Sequence, residues 1–326
     1  MADLGEGGAQ VEEDRARRAW GPKRGVAWSA GVGSVGSVVK RKGDAMCRWM
    51  AWHGQSVLIE ELLIKPKHGL IDQSLHSRMG AETTNGDGFG MGWYGVGEGP
   101  GVYRSISPAW GDPNLRHLAA HIESPLFLAH VRATSGTAVQ ETNCHPHMHG
   151  RWLFVHNGLV NEFRVLRREL ALAIDPSLFA EIQGSTDSEL LFYLALTNGL
   201  EDDPLAALER TIAFVEAGAA RHGVERAIQA SIGVSDGERL WAVRYSTEGV
   251  SPTLFASAEA QSIRALHPEN PNLQRLCDED RLVVSEPFTD LPGVWHEIPE
   301  ASALIVHPGG EHELRPFRPR VAGAPA

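Results

Sequence analysis

Met46-Cys47 is where the chemistry of this 326-residue sequence is most concentrated. With Met46 as initiator, an aminopeptidase that accepts a small second residue leaves Cys47 as the first residue, carrying a thiol and an α-amine on one backbone position. A thiol titrates near ~8.5 and an α-amine near ~7.7–8.0, so at neutral pH the free amine can take the thiol proton during attack on a carbonyl. Inside a longer chain the same nitrogen is an amide and has no such capacity. Three more groups follow in order. Arg132 closes Ala129-His130-Val131 with a planar fork suited to a bidentate grip on a carboxylate. Asn157 and Gly158, after Val155-His156, supply a side-chain amide and an unhindered backbone N–H, the donor types that stabilise a tetrahedral oxyanion. Asp187 opens a helix in Thr186-Asp187-Ser188-Glu189, where capping-box spacing also gives it a purely structural reading.

Two other chemistries compete. His145, His147 and His149 alternate along the chain, so a regular strand would place three imidazoles on one face as a zinc or copper ligand set. Pro146 and Gly150 count against regularity. Gly90, Gly92 and Gly95 satisfy a formal GxGxxG, yet Val96-Gly97-Glu98-Gly99-Pro100 cannot open the helix that would hold a pyrophosphate. Phe89, Met91, Trp93 and Tyr94 point instead to a strand whose glycines admit another backbone or a ligand closely.

The elements that must position these residues can be read from periodicity. Cys47 begins a largely apolar strand, Val57 to Ile64 has helical spacing up to Pro66, and strands are expected over 102–106, 126–131 and 151–156, the last closed by Asn157-Gly158. Helices are expected over 114–122, 162–172, 190–196 and 204–222. Short strands then take over at 230–234, 240–245, 253–256, 282–285, 294–298 and 303–307. Residues 1–45 lack periodicity and carry eight basic against six acidic side chains, whereas the whole chain has 30 basic, 41 acidic and a net charge of -11. They are expected to be a disordered extension or a mis-assigned start, with residues 46–326 forming a single domain. The acidic balance argues against nucleic acid as a partner, and no apolar run reaches the ~18–20 residues of a membrane span. Three cysteines without a CxxC pair fit a reducing cytoplasm.

Taken together, Met46-Cys47-Arg48, Asn85-Gly86-Asp87-Gly88-Phe89-Gly90, His130-Val131-Arg132-Ala133-Thr134, Asn143-Cys144-His145-Pro146-His147, Val155-His156-Asn157-Gly158 and Gly184-Ser185-Thr186-Asp187-Ser188-Glu189 resemble the class II glutamine amidotransferases, a family of N-terminal-nucleophile hydrolases. The likeness covers roughly residues 46–196. It implies an α+β fold, a four-layer α/β/β/α sandwich. It also implies that Cys47 is the nucleophile with its α-amine as base, that Asn157 and Gly158 form the oxyanion hole, and that Arg132 and Asp187 bind the α-carboxylate and α-ammonium of a glutamyl group. Thr134 and His145 are further substrate-binding candidates. Many members have an aromatic residue and one more position between that arginine and threonine, so Arg132-Ala133-Thr134 is a departure.

No Walker-type or glycine-rich phosphate loop follows Pro204. The chain is accordingly similar to stand-alone members that hydrolyse γ-glutamyl amides, in particular a glutathione-degrading type that works with a metallopeptidase-like partner, and more distantly the ergothioneine-pathway γ-glutamyl hydrolases. The expected substrate is a small γ-glutamyl compound, without a cofactor. The alternatives are a glutaminase supplying ammonia to a separate synthase and, from another class, a metal-binding protein built on the histidines.

Overall fold

Strand β1 (Arg48–Leu58) lies at the centre of the fold because its side chains are apolar on both faces, as a strand covered on both sides requires. The computed structural model describes residues 47–79, 84–133 and 136–320. In sequence order the remaining strands are β2 (Phe89–Trp93), β3 (Gly101–Ser105), β4 (Glu123–Val131), β5 (His147–His149), β6 (Trp152–Val160), β7 (Ile228–Ser235), β8 (Leu240–Ser246), β9 (Phe255–Ser257), β10 (Arg281–Val284), β11 (Trp295–Glu297), β12 (Ser302–Val306) and β13 (His312–Pro316). They form two antiparallel sheets, ordered β11-β9-β10-β1-β4-β2-β3 and β13-β12-β8-β7-β6-β5. The helices are α1 (Ile59–Leu63), α2 (Leu70–Leu75), α3 (Pro113–Ala119), α4 (Phe163–Leu172), α5 (Pro176–Phe179), α6 (Asp187–Thr197), α7 (Pro204–Arg221) and α8 (Ala260–Leu266).

Three apolar clusters define the layers. Met50, Trp52, Phe127 and Ala129 on one face of the first sheet pack against Ile59, Leu63, Leu70 and Leu115 of α1, α2 and α3. The opposite face presents Trp49, Ala51, Leu126 and Leu128 to Leu153, Val155, Leu240 and Leu304 of the second sheet. On the far side of that sheet, Phe154, Ile232 and Val243 meet Leu166, Phe192 and Ile212 of α4, α6 and α7. The result is the four-layer α/β/β/α sandwich. Burying each large aliphatic or aromatic side chain stabilises such layers by about 1.5–3 kcal/mol relative to exposure.

Local signals explain most boundaries. Asp112 and Asp203 accept hydrogen bonds from Leu115 N and Ala206 N, each followed by a proline at the first helical position. Thr186 caps α6 through Glu189 N at 3.3 Å, while the Glu189 carboxylate accepts from Gln183 N and Gly184 N instead of closing the capping box. β2 is the glycine-bearing strand expected, and its glycines do admit other chain segments. A Cβ on Gly90 would collide with the His145 carbonyl, and one on Gly92 would lie 2.9 Å from the Leu153 side chain.

Two expectations need correction. Asn157-Gly158 does not close its strand, because β7 continues to supply partners as far as Val160 opposite Ile228. The expected helix over 57–64 starts only at Ile59, since Val57 and Leu58 still pair with Ser124 and Glu123 of β4. Among the described residues no helix is long and apolar enough to cross a membrane. Residues 1–45, Met46 and Thr134 lie outside the described residues.

Candidate active site

The site forms where β1 and β4 end together. Arg48 pairs with Val131, so Cys47 and Arg132 are adjacent in the register, and Cys47 Sγ donates to Ala133 O at 3.4 Å. Cys47 alternates in step with Trp49 and Ala51, the residues of β1 that face the second sheet. Trp49 then sets the spacing between sheets: its Nε1 donates to Ser231 Oγ at 2.7 Å, and Ser231 is the register partner of Asn157. Gly233 makes room for that indole, since a Cβ there would lie 2.9 Å from the ring.

On β6, Leu153 and Val155 face the space between the sheets, so Asn157 continues that face toward the Cys47 layer. It is 2% exposed. Its side-chain amide makes no hydrogen bond to any described residue, which leaves its donor available. Gly158 is exposed and has φ 143°, a conformation that favours glycine; a Cβ there would run into the Gln229 carbonyl. A residue without a side chain thus keeps the backbone at the mouth of the site uncovered.

Arg132 is 3% exposed. Its Nη1 donates to Asp87 O at 3.2 Å, and its Nη2 donates to Thr137 Oγ1 at 2.6 Å and Ala138 O at 3.1 Å. These acceptors are neutral, and no carboxylate among the described residues pairs with it. Ala138 O also accepts from Asn143 Nδ2 at 2.9 Å, and Asn143 Oδ1 accepts from Ser185 N at 2.8 Å. Asn143 therefore couples the arginine to the turn that carries Asp187. Asp187 is itself fixed by Val160 N on Oδ2 at 2.8 Å and Ser188 N on Oδ1 at 2.9 Å. Asp187 as a residue is half-buried.

Burial pushes the Cys47 thiol above its ordinary range, the hydrogen bond to Ala133 O and the charges of Arg132 and Arg48 pull the other way, and Asp187 pushes it up again. These effects show that Cys47, Arg132 and Asp187 share one electrostatic neighbourhood. A thiol held high is mostly protonated at neutral pH, so attack from this position needs a base.

The three histidines do not converge as a ligand set. His149 Nδ1 turns to Glu181 Oε2 at 2.8 Å, while His145 and His147 are 4% exposed and pack inward, His145 against His130 with ring centroids 4.2 Å apart. Among the described residues no group of three His, Cys, Asp or Glu side chains is arranged to hold a metal ion. His145 thus lies within a packed row of imidazoles, between His130 and His147. Sequence reasoning missed Trp49, Ser231 and Glu286; their contacts span 182 or more residues of chain in the first two cases and 238 for Arg48 with Glu286, beyond any local signal.

Cys47 immediately precedes the first central strand of an α/β/β/α sandwich, the fold of the N-terminal-nucleophile hydrolases. The model of the class II glutamine amidotransferases matches residues 70–258. The chain is 33% identical over 294 residues to the probable glutamine amidotransferase DUG3 of Saccharomyces cerevisiae, covering 80% of this chain and 82% of that one. It is 28% identical over 266 residues to the γ-glutamyl-hercynylcysteine sulfoxide hydrolase of Mycolicibacterium smegmatis, covering 80% and 96%. Among solved structures, a glutamine aminotransferase class-II domain protein of Silicibacter pomeroyi superposes with a TM-score of 0.64 at 33% identity, over 84% of this chain and all of the other. The glutamine phosphoribosylpyrophosphate amidotransferase of Bacillus subtilis shares the fold alone, at TM-score 0.54 and 13% identity over 84% of this chain and half of that one. The chain belongs to the class II glutamine amidotransferase family and is an amide-cleaving hydrolase.

Proposed function

We propose that the mature chain starts at Cys47 and hydrolyses the γ-amide of glutathione-like γ-glutamyl compounds, releasing glutamate. The observation that carries this reading is the buried Arg132 guanidinium, whose acceptors among the described residues are all neutral. A buried cation without an anion is costly, by several kcal/mol, and a substrate carboxylate relieves that cost. Asp187 offers the opposite charge across the site for the α-ammonium, so the pair selects the zwitterionic end of a glutamyl group. The M. smegmatis relative, by its name, acts on a γ-glutamyl compound. The motif likeness to the glutathione-degrading type narrows the leaving group further.

In this reading the Cys47 α-amine takes the thiol proton as Sγ bonds to the γ-carbonyl carbon. The carbonyl π electrons move to oxygen, where the Asn157 amide and the Gly158 N–H receive them. Collapse breaks the C–N bond, and the Cys47 ammonium returns its proton to the departing amine. Water, deprotonated by the same amine, then cleaves the thioester to give glutamate and the free thiol. When the leaving group is a dipeptide, a peptidase-type partner subunit is the class of protein that would take up the product. Cys47, Cys144 and Cys277 are all free thiols, consistent with work in a reducing compartment such as the cytoplasm.

Two measurements test the reading. Mass spectrometry of active protein should find Cys47 at the amino terminus; full activity with residues 1–45 attached would sink the mechanism. A panel of glutathione, γ-glutamyl dipeptides, α-glutamyl dipeptides and glutamine should give glutamate from the γ-linked peptides only. Turnover of glutamine alone, with ammonia released, would assign the chain to the glutaminase alternative.

A further inference from the structure

Glu286, just beyond β10, has no part in the steps above, yet it is among the most heavily bonded side chains of the molecule. Its carboxylate is 2% exposed. Oε1 accepts from His68 Nε2 at 2.7 Å and Arg78 N at 2.9 Å. Oε2 accepts from Ser77 Oγ at 3.0 Å, Met79 N at 3.1 Å and Arg48 Nε at 3.3 Å. The Glu286 backbone carbonyl accepts from Gln73 Nε2 at 3.1 Å as well. Arg48, 1% exposed, extends the network: its Nη1 donates to Cys47 O at 3.0 Å, and its Nη2 donates to Ser77 Oγ and Met79 O.

The Cys47 carbonyl is where this network matters. An amino-terminal residue has no preceding peptide to hold it, and chain ends fray unless tied down. What remains to orient the Cys47 α-amine and thiol is the rest of its own backbone. Fixing the direction of its C=O fixes rotation about the Cα–C bond, and with it the directions of the amine and of Cβ. Proton transfer and attack need reacting atoms about 3–3.5 Å apart, so this rotation decides whether the residue can act as nucleophile and base together. Arg48 holds that carbonyl, and Glu286 holds Arg48. The carboxylate also offsets the Arg48 charge, one of the two cations acting on Cys47.

We propose that Glu286 is a positioning residue for the reaction: through Arg48 it sets the orientation and the electrostatic environment of the terminal Cys47, and it ties residues 77–79 to the nucleophile. This rests on the reading of Cys47 as nucleophile.

The test uses mature enzyme beginning at Cys47, with Glu286→Gln, Glu286→Asp and Arg48→Lys. Steady-state kinetics on glutathione and on glutamine are normalised to titrated Cys47. A substrate-free readout runs beside them, the pH dependence of Cys47 alkylation by iodoacetamide in a Cys144→Ala/Cys277→Ala background. Glu286→Gln is expected to lower kcat on the order of 100-fold with KM little changed, as a misplaced catalytic group does. It should also move the alkylation midpoint to lower pH, because the Arg48 charge is no longer offset. Glu286→Asp keeps the charge and should restore the midpoint and part of kcat, while Arg48→Lys should lower kcat by losing the fork. Unchanged kcat per titrated thiol with an unchanged alkylation midpoint in Glu286→Gln, whatever its melting temperature, would reduce Glu286 to a structural prop and overturn the inference. Cys47→Ala separates the two levels. Activity surviving that substitution defeats the nucleophile reading, whereas the alkylation profile still judges the effect of Glu286 on Cys47.

Discussion

Acidification from about pH 7.5 to about pH 5.5 should destabilise this protein far more than its surface charge would suggest, because of three histidines behind the site. His130, His145 and His147 are 0%, 4% and 4% exposed, and successive ring centroids are 4.2 and 4.6 Å apart. Among the described residues neither nitrogen of His145, nor Nε2 of His147, has a hydrogen-bond partner within bonding geometry. Burial pushes His130 down to about 3, the charges of Arg132 and His156 add to the effect, and the His156 backbone opposes it. Burial also drives His145 far down, helped by its histidine neighbours and Arg132, and does the same to His147, helped by Arg104, His130 and His156. The folded state therefore keeps these rings neutral, while the unfolded chain takes up protons below ~6.5. Stability is complete above that value and is lost as pH falls below it, since the unfolded state then binds more protons. One pH unit below ~6.5 each ring costs about 1.4 kcal/mol, so three cost about 4 kcal/mol, a large part of the ~5–15 kcal/mol that holds a typical domain. Urea unfolding followed by tryptophan fluorescence at several pH values gives the slope directly. His147→Asn should reduce the loss by the share of one ring, about 1.4 kcal/mol at one unit below ~6.5. A midpoint that stays flat across this range would refute the reasoning and mean that the imidazoles are hydrated or paired in solution.

Cys47→Ala should abolish hydrolysis and leave the circular dichroism spectrum unchanged, the thiol being half-buried at the end of β1. Asn157→Ala should lower kcat on the order of 100- to 1000-fold with the fold intact, as loss of one oxyanion donor does; a change confined to KM would remove Asn157 from that role. Arg132→Lys keeps a cation but loses the fork, and should raise KM for γ-glutamyl substrates, checked by initial rates. Gly233→Ala should destabilise by about 1–3 kcal/mol in urea by crowding the Trp49 indole. Treatment with EDTA should leave kcat/KM unaltered, and a loss restored by zinc would instead revive a metal role for the histidines.

The order of elements was legible because it is written locally. β4, α3 and α7 announce themselves through an apolar run or a capping Asp-Pro, and the GxGxxG of β2 could be set aside because no helix follows it. Asn157-Gly158 misled, since it reads as a turn wherever no partner strand is known; pairing with Ser231 and Ala230 keeps it extended. The histidine triplet shows the same limit of a local signal. Alternation on paper puts three rings on one face, but only His147 and His149 lie in a strand, and Glu181 takes the latter.

Sequence by itself determined which side chains could carry the chemistry, because residue type fixes nucleophilicity, charge and donor geometry at Cys47, Arg132, Asn157 and Asp187. Tertiary structure alone decided how they are held. The β1–β4 register that sets Cys47 beside Arg132, the Trp49–Ser231 bond that fixes the sheet separation, and the Glu286 carboxylate that braces Arg48 each join residues 80 or more positions apart. Such contacts leave no periodicity in the chain. They exist only once apolar burial has stacked the two sheets and brought the ends of β1, β4 and β6 to one place.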